Sequence, residues 1–454
     1  MKRRYFGTDG IRDRVGGPLL QPEFLRALGF AWGACLVERA DSDPVRVVIG
    51  RDTRESGPEV RASLLAGLAY HRVEVLDADV IPTPAIVHAI RHFGASGGIA
   101  VTASHNPAAD NGVKLFGRSG VKLNDAEEVK LEARIEQALA ASRDPMRPAA
   151  FRQVDALESY RESAERVLPA GALAGWTLAF DGANGPAVRV NPAVLRRAGA
   201  QLASLGGDAP PGLINDRVGS EFPERVCRLT TKVGARIGII HDGDGDRVRF
   251  CDETGSLLDG DEALGLLALD ADEQGRLPDR TAVFTVMSNL GLDASLQKAG
   301  ISVVRVGVGD RCVQHEMLRR GFKFGGESSG HIIPGDLTST GDGLLASLRM
   351  LELLIRTGKP LSALRRRIRL YPQMQESIDV GRKVPIDELP ALRDEIRTLE
   401  GSLDGQGRLL VRYSGTEPKL RLLVEAPRSE LVVDTMGRLR VAVEQEFGTG
   451  GACR

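Results

Sequence analysis

The sequence predicts three α/β units followed by a smaller α+β unit. Three observations support this. Strand, Gly/Asp-rich loop and helix alternate along most of the chain. A polar, Pro-containing break at Ser142–Pro148 interrupts the pattern, which then restarts. After Leu370-Tyr371-Pro372 its style changes. Such alternation argues for layered α/β sheets.

In the first unit, Val45–Ile49 is a β-branched run stopped by Gly50, and Pro58 opens a helix through Tyr70. Val73–Leu76 and Gly98–Ala103 are further strands, and Ala126–Ala141 is a charged helix. The second unit has strands at Thr177–Phe180 and Arg236–Ile240, each running into an Asp/Gly loop. The third begins near Asp259, with strands at Ala282–Met287, Ile301–Val306 and Phe322–Phe324 and a helix from Gly343 to Thr357. The last has strands Leu409–Tyr413 and Leu420–Glu425 and a closing helix Ser429–Glu446. The predicted domains are 1–148, 149–257, 258–370 and 371–454. No strict repeat is visible, so kinship among the first three would be structural.

The chain has 454 residues with 42% hydrophobic and 27% charged, ample for several cores. A net charge of −1 gives no global basic field for nucleic acid or anionic lipid. An anionic substrate must therefore be met by local basic groups. Met1–Tyr5 leads straight into polar sequence without an apolar signal region, and no apolar run is long enough to span a bilayer. The five cysteines are scattered and lack CxxC spacing, which reads as free thiols in a reducing cytoplasm.

Five loops carry chemistry-bearing residues. In Thr102-Ala103-Ser104-His105-Asn106-Pro107, a strand delivers a serine beside a histidine, which suits an activated nucleophile. The same residues also suit an ordinary Asx or Ser/Thr turn. Lys114 follows the turn-forming Asp110-Asn111-Gly112 and, if desolvated, could act as a base. In Asp242-Gly243-Asp244-Gly245-Asp246-Arg247, glycines let three carboxylates converge. Each pair at ~4 Å repels by roughly 4 kcal/mol at an effective dielectric near 20, so a divalent ion is the simplest way to hold them. All-oxygen ligation favours Mg²⁺ or Ca²⁺. An EF-hand is rejected because Arg247 stands where that loop needs Gly, although Glu253 falls at its twelfth position.

Gly325–His331 offers Glu327, Ser329 and His331 to sugar hydroxyls, or is a plain polar turn. Arg412-Tyr413-Ser414-Gly415-Thr416, with Arg421 behind, fits a phosphate site better than a hairpin with surface arginines. Gly7–Arg12 alone is a turn plus an arginine.

In this order, the five loops resemble the α-D-phosphohexomutase superfamily over essentially the whole chain. Four segments look most like its phosphoglucosamine mutase branch: Tyr5–Gly16, Ala103–Phe116, Val308–Arg311 and Thr338–Gly343. The resemblance implies three related mixed-sheet α/β domains and a C-terminal α+β domain around a central cleft. It implies phosphoserine at Ser104, one Mg²⁺ held by Ser104, Asp242, Asp244 and Asp246, and Lys114 as general base. Arg12, His105 and Arg247 would stabilise the transferring phosphoryl group. Glu327, Ser329 and His331 would hold the sugar. Arg412, Ser414, Gly415, Thr416 and Arg421 would grip the distal phosphate. The activity implied is interconversion of glucosamine 6- and 1-phosphates through a hexosamine 1,6-bisphosphate, feeding UDP-N-acetylglucosamine synthesis, with a hinging fourth domain. A homodimer and a kinase acting on Ser104 are further implications.

The branch alternative is a phosphoglucomutase or phosphomannomutase. A phosphatase using the aspartate loop and a silent sugar-phosphate sensor are the other rivals. Asn215–Pro223 and His241 depart from the usual family pattern. All of these expectations require the Ser104 hydroxyl to meet the three aspartates.

Overall fold

The computed structural model describes residues 3–39, 44–141, 149–207, 209–210, 212–414 and 418–448. The predicted break at Ser142–Pro148, together with Gly415, Thr416 and Cys453, lies outside them. The chain divides into two bodies. One runs to Met287 and includes Ile301–Arg366. The other joins Ser288–Gly300 to the residues from Arg367 onward.

The first body holds three sheets. In the first domain the strands are β1 (Ile11–Arg14), β2 (Val45–Arg51), β3 (Val73–Val80), β4 (Gly97–Val101), β5 (Asp110–Gly117) and β6 (Phe151–Gln153). Their order is β1-β5-β4-β2-β3-β6. β6 belongs to this sheet, so the first domain reaches past the expected boundary at 148. The second sheet is built from β7 (Thr177–Asp181), β8 (Gln201–Leu205), β9 (Ile237–His241) and β10 (Val248–Asp252) in the order β10-β9-β7-β8. The third contains β11 (Thr281–Thr285), β12 (Ser302–Val306), β13 (Phe324–Gly326) and β14 (Ile332–Pro334) in the order β12-β11-β13-β14.

The three sheets share one plan. Two parallel neighbours flank a central strand, and one of those neighbours carries an antiparallel hairpin partner. The serine, aspartate and sugar loops are the turns of the hairpins β4–β5, β9–β10 and β13–β14. The kinship that the sequence hid is therefore topological.

β5 is the main departure from expectation. Asp110-Asn111-Gly112 has turn chemistry, yet these residues pair with Arg14, Asp13 and Arg12 of β1. Gly112 permits the approach, since a Cβ there would lie 2.5 Å from the Ile11 carbonyl oxygen. Pairing on both edges outweighs local propensity. It also sets Lys114 opposite Ala100, on the strand that leads into Ser104.

The first core is built where helix Pro22–Glu38 crosses helix Gly57–Leu68 beneath Trp32, Leu28 and Leu64, all buried. The crossing is close because of Gly29 and Gly67. A Cβ on Gly67 would meet the Arg26 carbonyl oxygen at 2.1 Å.

The second body has sheet β15-β17-β16, formed by β15 (Gln373–Asp379), β16 (Arg408–Tyr413) and β17 (Lys419–Glu425). Helices Pro390–Leu403 and Ser429–Phe447 cover it. Helix Leu290–Lys298 is tied to this body. Its capping residue Asn289 exchanges hydrogen bonds with the Tyr371 backbone at 3.0 and 2.8 Å, and Glu425 accepts from the Leu290 N–H at 3.1 Å. Among the described residues no helix is long and apolar enough to cross a membrane.

Gly67→Ala is expected to force the two helices apart and lower first-body stability by about 1–3 kcal/mol. Chemical denaturation should show this as a lower midpoint at unchanged slope.

Candidate active site

β4 ends by handing the chain to Ser104, which adopts φ 53° and is fully buried. A left-handed serine is uncommon, and the surroundings must enforce it. They do so through carbonyl groups. The buried guanidinium of Arg54 donates to the carbonyls of Ser104 (3.0 Å), Asn106 (2.9 Å), Pro107 (2.5 Å) and Asp110 (2.7 Å). Asp52 in turn accepts from Arg54 Nε at 2.9 Å. From the second domain, Asn215 Nδ2 donates to the Ser104 and Asn106 carbonyls at 2.8 and 2.9 Å.

The aspartate loop docks directly on this turn. Ser104 Oγ donates to Asp242 Oδ2 at 2.6 Å. Gly243 makes the approach possible: a Cβ there would lie 2.5 Å from the Ser104 carbonyl oxygen. Thr83, opening helix Thr83–His92, donates its backbone N–H to the Asp244 carbonyl at 3.0 Å and its hydroxyl to Asp244 Oδ2 at 2.6 Å. His241 closes the base of the loop. Its Nδ1–H donates to the Arg247 carbonyl at 3.1 Å, and its Nε2 accepts from Asn191 at 2.9 Å.

One ligand oxygen from each of Asp242, Asp244 and Asp246 lies within 4.8 Å of the others, and all three residues are buried. Asp244 Oδ1 and Asp246 Oδ1 are buried without a hydrogen-bond partner among the described residues. Burial, then Asp246 and Asp244, pushes the Asp242 carboxyl well above the usual carboxylate range. Unpaired hard oxygens and an acid destabilised by its neighbours fit a divalent cation such as Mg²⁺.

Lys114 Nζ sits 2.8 Å from both Asp244 Oδ2 and Asp246 Oδ2 and 3.2 Å from Asp9 Oδ2. Burial would lower its pKa, but Asp244, Asp246 and Asp9 outweigh burial and raise it well above the ordinary lysine value. In this arrangement Lys114 is a cation paired with Asp9 and with two of the three candidate metal ligands. Asp246 is held well below the usual carboxylate range, because Lys114 and His331 overcome its burial.

His105 also departs from expectation. Its Nδ1 lies 3.3 Å from Ser104 Oγ, whereas the serine proton is directed to Asp242. Arg247 donates to that Nδ1 at 3.1 Å. Burial, then Arg247 and Arg12, lowers the His105 pKa to about 4. It is thus a neutral imidazole beside a guanidinium and not the activating partner of a Ser–His pair. Arg12 donates to Asn106 Oδ1 at 3.2 Å and pairs with Asp9.

In the sugar loop, Glu327 Oε1 accepts from the Gly309 N–H at 3.0 Å, and burial followed by Asp310 raises its pKa. Ser329 is exposed. His331 is placed differently from the expectation that it holds a sugar hydroxyl. It is 2% exposed, with Nε2 accepting from the Gly341 N–H at 3.0 Å and Nδ1 3.7 Å from Asp246 Oδ1. Its nitrogens are engaged by the protein, behind the aspartate loop.

In the second body, Arg412 stands directly across from Arg421 on β16 and β17, and Ser414 is buried. Facing like charges destabilise a sheet unless an anion lies between them. Gly415 and Thr416 fall outside the described residues.

Several of these residues were not singled out from sequence. Arg54, Asn215 and Thr83 support the site from outside the five loops, while Asp9 and Asp310 lie in the segments Gly7–Arg12 and Val308–Arg311, whose acidic residues carry no role readable from sequence. The Asp52-Thr53-Arg54 loop after β2 was the readable signal, because it too leaves the carboxyl end of a parallel strand.

Phosphoglucomutase/phosphomannomutase family models match this chain as α/β/α domain I over residues 3–142, α/β/α domain III over 259–371 and the C-terminal domain over 377–440. A phosphoglucosamine mutase of Leuconostoc citreum is 41% identical, covering 95% of each chain. One from Moorella thermoacetica is 43% identical over 97% of this chain and 99% of its own. The chain belongs to the phosphoglucosamine mutases of this family. It is an enzyme, an intramolecular phosphotransferase of the isomerase class. The phosphohexomutase fold is shared with a Burkholderia thailandensis phosphoglucomutase/phosphomannomutase family protein at 24% identity, TM-score 0.83 and complete coverage of both chains. It is also shared with Aspergillus fumigatus N-acetylphosphoglucosamine mutase, crystallised with GlcNAc-6P and magnesium. That protein has 18% identity, a TM-score of 0.64 and coverage of 98% and 96%.

Two predictions concern this phosphohexomutase site. Gly243→Ala should push the aspartate loop off the serine loop and reduce turnover at least about 100-fold in a folded protein, read by steady-state assay with circular dichroism as the control. His241 is fully buried with its pKa lowered to about 4 by burial. The unfolded chain, near 6.5, then takes up the proton first as pH falls. The stability contributed by neutral His241 is intact above about 6.5 and is lost toward 4, by up to about 3 kcal/mol. Melting temperatures at pH 7 and 5 should differ less in His241→Leu than in the wild type.

Proposed function

We propose that the protein interconverts glucosamine 6-phosphate and glucosamine 1-phosphate, with phosphoserine at Ser104 as donor and a hexosamine 1,6-bisphosphate as intermediate and primer. The observation that carries this reading is the 2.6 Å contact of Ser104 Oγ with Asp242 at the edge of the acidic triad. Asp242, Asp244, Asp246 and phosphorylated Ser104 would hold one Mg²⁺. Bound there, the ion supplies positive charge that offsets the charge of the transferring phosphoryl group.

The residues around it do the positioning. In transfer, the bond from Ser104 Oγ to phosphorus breaks as a free sugar hydroxyl oxygen bonds to phosphorus, and the proton that hydroxyl gives up is returned to Ser104 Oγ, which leaves as a hydroxyl. Arg12, Arg247 and the neutral imidazole of His105 surround the serine as donors to phosphoryl oxygens. Lys114 accepts a proton only once Asp244 and Asp246 no longer hold it as a cation; until then it too is a donor. Glu327 and Ser329 select the sugar. Arg412, Ser414 and Arg421, with Gly415 and Thr416, take the distal phosphate by charge-assisted bonds. The second half-reaction reverses the first with the sugar turned end for end, so that the other phosphate returns to Ser104. A homodimer, a kinase that first loads Ser104 and a cytoplasmic setting accompany this reading on the strength of family membership.

Ser104→Ala should lose mutase turnover by at least about 1,000-fold in an assay primed with bisphosphate, and the wild type should stop on addition of EDTA. Glucosamine 1-phosphate should be preferred over glucose and mannose 1-phosphates. Retained turnover in Ser104→Ala, or mass spectrometry placing the stable phosphate on an aspartate, would contradict the reading.

A further inference from the structure

We infer that Lys122 is a positioning residue for this reaction, closing a ring of contacts that runs Asp246–Lys114–Asp9–Lys122–Asp310–His331 and back to Asp246, in which the two lysines alternate with the aspartates. The inference rests on the proposed function and deepens it.

Each link is a contact. Lys114 Nζ is 2.8 Å from Asp246 and 3.2 Å from Asp9. Lys122 Nζ contacts Asp9 and lies 2.5 Å from Asp310 Oδ2. Asp310 Oδ2 is 3.2 Å from His331 Nε2, and His331 Nδ1 is 3.7 Å from Asp246 Oδ1. Asp9, Lys114 and Lys122 come from the first domain, Asp246 from the second, and Asp310 and His331 from the third. The ring therefore sets all three hairpin loops relative to one another.

Lys122 is 5% exposed, and its backbone is pinned as well. His315 Nε2–H donates to its carbonyl at 2.9 Å, and its N–H donates to Gln314 Oε1 at 3.4 Å. Helix Asp310–Arg320 thus grips both its main chain and its ammonium. Lys122 reaches the reacting groups only through Asp9 and Asp310. Without it, Asp9 would lean harder on Lys114 and draw that ammonium away from Asp244 and Asp246. Asp310, left with His331, would press its charge on Glu327. A buried ion pair broken on one side leaves an uncompensated charge, which the neighbours must accommodate by moving.

The test is a double-mutant cycle with Lys122→Met, Asp310→Asn and the double variant, all in the full chain. In each single variant kcat should fall about 10- to 100-fold while KM for the hexosamine phosphate stays within about threefold. The double variant should be no slower than the slower single, because both break one ring. A kcat within about twofold of wild type, a loss confined to KM or melting temperature, or a double variant whose loss is the product of the singles would overturn the inference. If Lys122→Met does not fold, the near-isosteric Asp310→Asn carries the same expectation, and an unchanged kcat there overturns it. Wild-type turnover and its loss in Ser104→Ala are measured alongside. Failure of those two sinks the proposed function, whereas an unchanged Lys122 or Asp310 variant sinks the ring alone.

Discussion

Three buried carboxylates within 4.8 Å of one another are the constraint around which the first body is arranged. At such separations each pair repels by roughly 4 kcal/mol at an effective dielectric near 20, so the cluster exists only where countercharge is imposed. Lys114 imposes it from β5 and Arg247 from the loop itself. Each must be held where the aspartates need it. Arg54 and Asn215 hold the serine loop against the cluster through its carbonyls, and Asp310 meets Lys122 from the third domain.

Topology makes this convergence economical. Each of the three sheets contains an antiparallel hairpin, and each hairpin turn carries one of the loops. Repeating one plan three times delivers the Ser104 hydroxyl, the acidic triad and the Glu327 carboxylate from equivalent hairpin turns. Glycines admit the backbones where the loops touch. Gly243 lies against the Ser104 carbonyl, and Gly330, at φ 94°, lies against that of Val248. The β10 strand after the aspartate loop is thereby stitched to the sugar loop, through the Val248 N–H donated to the Gly330 carbonyl at 3.0 Å.

The sequence was legible where chemistry is local. Asp-Gly-Asp-Gly-Asp lets carboxylates converge on one turn, and β-branched runs such as Val45–Ile49 mark buried parallel strands. It was misleading where pairing overrules propensity, as at Asp110-Asn111-Gly112, where Asn111 is buried in a strand with its amide on Ser56 Oγ at 2.8 Å. It was silent where partners lie far apart. Lys122 meets carboxylates 113 and 188 positions away, and no spacing rule connects them. The same limit explains Lys114 and His105. Their residue types pointed to proton transfer, but burial and the charges facing them shift their pKa values, and only the fold sets either.

The central claim is that the Ser104 oxygen and the acidic triad share one divalent ion. Phosphorus NMR of the Ser104-phosphorylated chain, titrated with Mn²⁺ as a paramagnetic reporter, addresses it directly. The account predicts that the phosphoserine resonance broadens beyond detection by about one equivalent, and that Asp244→Asn with Asp246→Asn abolishes the effect. A resonance that stays sharp at that stoichiometry in the wild type would contradict it.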